Sequence, residues 1–197
     1  MKQFVRILLI LCMLNLFTNM AFATNFSKIT PDKKIKNALE LLESSGSNQV
    51  IKEVMGDNLS NRPVKIKFYP LESLSFSYKD VHALATSDNY GNMYILINPK
   101  HRRAPDAAIA SLIAHEMTHQ LKETTLEEEV RAWTNEVTQW IKLKKQNPTL
   151  VNQSDYNCEL VQRLNRLEYM YKLANNTPRL FAKEITSNER YMALKVE

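Results

Sequence analysis

His115-Glu116-Met117-Thr118-His119, followed by Thr125-Leu126-Glu127-Glu128-Glu129, is the stretch on which the reading of this chain turns. Residues four apart on a helix share a face, so His115 and His119 can hold one metal ion between them. Glu116, next to His115, can meet a water at that metal. The flanking residues have the marks of a helix. Pro105 suits a first turn, where a missing N–H costs nothing, and Asp106 suits a helix N-terminus. Ile109, Leu112, Ile113 and Met117 give an apolar face with the histidines beside it, so both imidazoles are expected to be partly buried and to need partners. Gln120 to Thr124 must reverse the chain. Thr125 and Glu128 then fit a capping box, which starts a second helix near Leu126. Its apolar stripe is Val130, Trp133, Val137, Trp140 and Ile141, and Lys142 to Pro148 closes it.

Upstream of this pair the pattern changes. Val64 to Phe68 alternates as a half-buried strand does. Val81 to Thr86 and Met93 to Ile97 are two further strands, and the polar turn Asp88 to Asn92 with Gly91 joins them as a hairpin. Pro31 and Asp32 open a first helix through Ile35, Leu39 and Leu42, and a short helix is expected over Asn48 to Leu59. Downstream, Leu160, Val161, Leu164, Leu167, Met170 and Tyr171 mark another helix, and Phe181 and Ile185 lie in a tail of short helical turns. The order of elements predicts an α+β fold, with a small antiparallel or mixed sheet packed against a helical core.

The first residues carry a different signal. Lys2 and Arg6 precede and punctuate an apolar stretch ending near Phe17, and Ala21-Phe22-Ala23 has the small-x-small form of a cleavage site. Residues 1–23 are expected to be a secretory signal peptide, with residues 24–197 forming a single domain. The domain keeps one cysteine, Cys158, so no internal disulfide staples it. The short signal peptide, the few cysteines and Asn-x-Ser/Thr sites read as unused (Asn25, Asn58, Asn152 and Asn175) favour bacterial export, to a secreted or periplasmic location. The formal charge of +5 falls to +3 without Lys2 and Arg6. The cluster Lys142, Lys144 and Lys145 lacks interleaved aromatics and is expected to be a solvated helix end, with no nucleic-acid partner. No later stretch is long and apolar enough for stable membrane insertion.

A catalytic zinc normally has three protein ligands. His101 lies in a charge-rich loop and is expected at the surface, and His82 lies in or near a strand. The better third ligand is a carboxylate of the second helix. Glu127 has no repeat partner on its side, and Glu128 is placed to cap Thr125. Glu129 shares its side with Ala132, Trp133 and Glu136, and the small Ala132 lets two helices approach. Glu129 is therefore the first choice and Glu128 the second.

His115-Glu116-x-x-His119 followed by Glu129-x-x-Ala132 resembles the zinc-dependent metallopeptidases that use a glutamate as third ligand, the gluzincins. The resemblance covers residues 93–136. The class that extends the motif with glycine and a third histidine is excluded, because Lys122 and Thr125 occupy those positions. Many gluzincins carry an aspartate four residues after the third ligand, to support the first histidine. Trp133 stands there in this chain, and Glu136 is the available substitute. The resemblance implies Zn2+ on His115, His119 and Glu129, with Glu116 as general base toward water. It also implies that the strand before the motif helix, Met93 to Ile97, is an edge that binds extended substrate. Tyr191, Tyr90, His82 and Arg131 are candidate donors to the tetrahedral intermediate. The expected function is an exported zinc-dependent hydrolase acting on a protein, a peptide or a cell-wall peptide. The alternative is a secreted metal-binding interaction module without catalytic activity.

Overall fold

The computed structural model describes residues 24–119, 124–150 and 157–188. The segment expected to be a signal peptide, the centre of the expected chain reversal and Tyr191 lie outside them. Among the described residues the chain forms an α+β fold, with six helices and one three-stranded mixed sheet.

Helix α1, Lys33–Ser44, starts where the Asp32 carboxylate accepts the Lys34 and Ile35 N–H groups. Helix α2, Asn48–Met55, stops short of Leu59 because Gly56 takes a φ of 125°, where a side chain would be strained. Strand β1, Lys65–Phe68, strand β2, Ala83–Ser87, and strand β3, Met93–Ile97, pair in the order β1-β3-β2. β2 and β3 form the expected hairpin. Its turn is held by Asp88 Oδ1, which accepts the Tyr90 and Asn92 N–H groups at 2.9 Å each.

One expectation is corrected here. Met93 to Ile97 is the central strand, parallel to β1 and antiparallel to β2, and is not an edge. The reason is in its composition, because Met93, Ile95, Leu96 and Ile97 are all buried and apolar on both faces, as a strand with two neighbours requires. The edges are β1, which carries exposed Lys65 and Lys67, and β2.

Helix α3, Asp106–Glu116, bears the motif. Every residue from Ala107 to Glu116 is buried, so this helix is enclosed all round where a one-sided apolar face was expected. Its alanines 107, 108, 110 and 114 allow that approach. α1 packs on it from one direction. β2 and two later helices, α4 (Leu126–Gln146) and α5 (Glu159–Leu173), pack from others. A final helix, α6 (Arg179–Thr186), covers a smaller core of Trp133, Val137, Leu167, Phe181 and Ile185, where the Trp133 and Phe181 rings meet edge to face at 5.7 Å. No helix among the described residues is long and apolar enough to cross a membrane.

Ile113 is fully buried in the main core, just before the motif begins at His115. Ile113→Ala is expected to cost about 2–5 kcal/mol by lost burial and a residual cavity. Equilibrium denaturation checks this, and a cost below about 1 kcal/mol would contradict such enclosure.

Candidate metal centre

α3 ends at Glu116, so the five-residue run does not lie wholly within a helix as its spacing predicts. Thr118 N–H donates to His115 O at 2.9 Å, and His119 N–H donates to Glu116 O at 3.1 Å. These i→i−3 bonds tighten the last turn, which lets the chain reverse before α4 begins at Leu126. The pairing of the two imidazoles survives this change. His115 Nε2 and His119 Nε2 lie 3.3 Å apart.

α4 starts near Leu126 as its sequence predicts, with the Thr125 hydroxyl accepting the Glu128 N–H, but among the described residues the Glu128 side chain makes no return bond to the Thr125 N–H and lies by His119 instead, so only half of the expected capping box forms. Its first turn brings Glu129 against the histidines. Glu129 Oε2 is 3.3 Å from His119 Nε2, and Glu129 Oε1 is 3.8 Å from His115 Nε2. His115, His119 and Glu129 thus form a group that could hold a metal ion. Tetrahedral zinc with nitrogen and oxygen ligands at about 2.0–2.2 Å spaces neighbouring ligand atoms about 3.3–3.6 Å apart, so the donor set suits the ion in its chemistry, and the two closer pairs match that spacing while the pair of His115 with Glu129 is wider.

Each of the three has an outer partner. His115 Nδ1 lies 3.0 Å from Glu136 Oε2, and the other oxygen of Glu136 pairs with the Arg163 guanidinium. His119 Nδ1 lies 3.6 Å from Glu128 Oε1. Trp133 Nε1–H donates to Glu129 Oε1 at 2.7 Å. Glu136 thus stands where support for the first histidine was sought. Trp133, the departure from the gluzincin pattern, steadies Glu129 instead. Glu128, second choice as a ligand, is buried and turned to the far side of His119. Glu127 is exposed.

Electrostatics bind these groups. Burial pulls the His115 pKa down, but the nearby Glu136, Glu129 and Glu116 carboxylates outweigh it and hold the imidazole well above its ordinary value. Burial pushes Glu129 up, but His119 and His115 hold it well below the usual carboxylate range. Burial likewise opposes Glu136, which Arg163 and His115 keep low. Glu116 differs. Burial dominates there and raises its pKa. Glu116 Oε2 accepts the Ala85 N–H of β2 at 2.9 Å.

The remaining candidates lie elsewhere. His101, expected at the surface, is only 2% exposed and its Nε2 is 2.9 Å from His82 Nδ1. Burial, helped by neighbouring cations, lowers the pKa of His82 to about 3 and that of His101 to about 4. The charged neighbours Lys100 and Arg102 suggested exposure, but Asn98 accepts the Lys100 N–H and turns the imidazole inward. Tyr90 is 83% exposed on the hairpin turn, and the Tyr94 hydroxyl donates to Asp88. Arg131 lines a cavity of about 580 Å³ between α2, the end of α3 and α4. Among the described residues that cavity is lined by Glu128, Met117 and Thr118 but not by His115, Glu116, His119 or Glu129. Ala85 and Arg163 had no local signal in the sequence, because each reaches the site from a distant element. The chain matches no family model, no curated protein and no solved structure.

Competition with a chelating dye checks the donor set. Glu129→Ala is expected to abolish tight zinc binding, and Glu136→Ala to weaken it roughly 10- to 100-fold. Glu127→Ala is expected to leave it unchanged. Zinc affinity unaffected by Glu129→Ala would contradict the triad.

Proposed function

We propose that this chain is an exported zinc-dependent metallopeptidase, held to one metal by His115, His119 and Glu129. The observation that supports the reading is the convergence of His115, His119 and Glu129 into a group that could hold one metal ion, with a buried carboxylate one residue from the first of them. Zinc bound there supplies a Lewis acid that makes water acidic near neutral pH and polarises a carbonyl oxygen.

The chain's own groups do the rest. Glu136, 3.0 Å from the Nδ1 atom of His115, favours the tautomer with Nδ1 protonated and Nε2 free to ligate, and Glu128 stands on the Nδ1 side of His119 at 3.6 Å. Burial disfavours the ionised form of Glu116, and its raised pKa suits a group that both takes and returns a proton. It takes one proton from the attacking water as oxygen bonds to the substrate carbonyl carbon. It gives that proton to the amide nitrogen as the C–N bond breaks, leaving a carboxylic acid and an amine, and the acid then loses its proton to solvent. β2 runs beside Glu116 as a sheet edge, and an extended chain can add to it through main-chain hydrogen bonds. This moves the substrate-binding role from Met93–Ile97 to Ala83–Ser87. Residues 1–23 supply the export signal, and the product is a secreted or periplasmic enzyme acting on proteins, peptides or cell-wall peptides.

Glu116→Gln is expected to keep a full zinc complement and to lower hydrolysis of an unfolded protein or peptide library roughly 100- to 10,000-fold. Retained hydrolysis would rule out Glu116 as the base. A wild-type protein that holds zinc and cleaves nothing would point to the metal-binding module instead.

A further inference from the structure

The ladder between β2 and β3 fixes which backbone groups of β2 face outward. Asn98 N–H donates to His82 O at 2.9 Å, and Asp88 N–H donates to Asn92 O at 3.0 Å. Hydrogen-bonded positions alternate with unbonded ones in an antiparallel pair. Residues 82, 84, 86 and 88 therefore turn their main-chain groups toward β3. Ala83, Ala85 and Ser87 turn theirs away from it. Outward N–H groups of an edge strand have no ladder partner. The one at Ala85, in mid-strand opposite Ile95, meets Glu116 Oε2 at 2.9 Å.

Glu116 is buried, and Oε1, its other oxygen, carries no hydrogen bond among the described residues. The last torsion of a glutamate is broad and roughly two-fold, so it does not by itself fix the carboxylate plane. A single directed donor does. We propose that the backbone N–H of Ala85 is the positioning group for Glu116, pinning Oε2 so that Oε1 is the oxygen presented to the attacking water. This rests on the metallopeptidase reading. It has a consequence for substrate: a chain adding to β2 finds the outward groups of Ala83 and Ser87, but the Ala85 N–H is already taken.

Because the donor is backbone, any residue except proline can supply it. Proline is tolerated on an edge strand where the N–H does not enter the ladder. In the zinc-loaded full chain, Ala85→Pro is expected to lower kcat for an unfolded protein substrate roughly 10- to 100-fold, with KM and zinc content little changed. Ala85→Ser and Ala85→Val, which restore the N–H, are expected to recover the wild-type kcat. Wild-type kcat in Ala85→Pro would overturn the proposal, as would an equal loss in all three variants. A second measurement does not depend on activity or on Ala85→Pro folding. By NMR of the zinc-loaded protein, Glu116→Ala is expected to shift the Ala85 amide proton and speed its exchange, leaving Leu84 and Thr86 as they were. An unmoved Ala85 amide would overturn the anchor. A wild type that hydrolyses nothing while Ala85 still responds to Glu116→Ala would instead overturn the metallopeptidase reading, and with it the catalytic use of the anchor.

Discussion

Four carboxylates, those of Glu116, Glu128, Glu129 and Glu136, are buried where α3 meets α4. A charge taken out of water is costly unless it is paired and hydrogen-bonded. Arg163 reaches one of these groups, and two imidazoles lie among the rest. The interface therefore favours positive charge at its centre, from protons on the histidines or from a bound cation. The two facing Nε2 atoms and a Glu129 oxygen lie close enough together that one divalent ion could answer the demand of all three groups at once. The rest of the architecture serves to hold this interface shut.

α4 carries most of that task. Glu129, Trp133 and Glu136 follow one another at helical spacing of four and three, so one face supplies a ligand, its brace and the partner of His115. Ala132, fully buried, lets α4 lie close to α3. α3 in turn is enclosed by α1, α5 and β2, which leaves its last turn little freedom. The sheet contributes β2, whose outward backbone reaches Glu116. A hydrophobic scaffold thus fixes a polar centre that could not stay dry and charged on a mobile loop.

Much of this was legible in the sequence wherever the signal is local. Asp32 and Thr125 start their helices as caps, and the hairpin closes around Asp88 and Gly91. The offsets within His115–His119 bring the imidazoles together although the helix itself stops at Glu116. The sequence was silent where partners are remote. β1 joins β3 from 29 residues away, and that pairing makes β3 central. Arg163 meets Glu136 across 27 residues, and Ala85 meets Glu116 across 31. His101 misled because its neighbours are charged, whereas its burial is decided by the Asn98 turn and by His82. Trp133 looked like a defect in a borrowed pattern until its indole N–H was placed on Glu129.

X-ray absorption at the zinc edge of the purified full chain tests the central claim most directly, because it counts ligands by element and distance. The account requires one zinc per chain with nitrogen and oxygen neighbours alone at about 2.0–2.2 Å, two of them imidazoles. A sulfur neighbour at about 2.3 Å, which would bring in Cys158, or a zinc with no imidazole scattering, would contradict it.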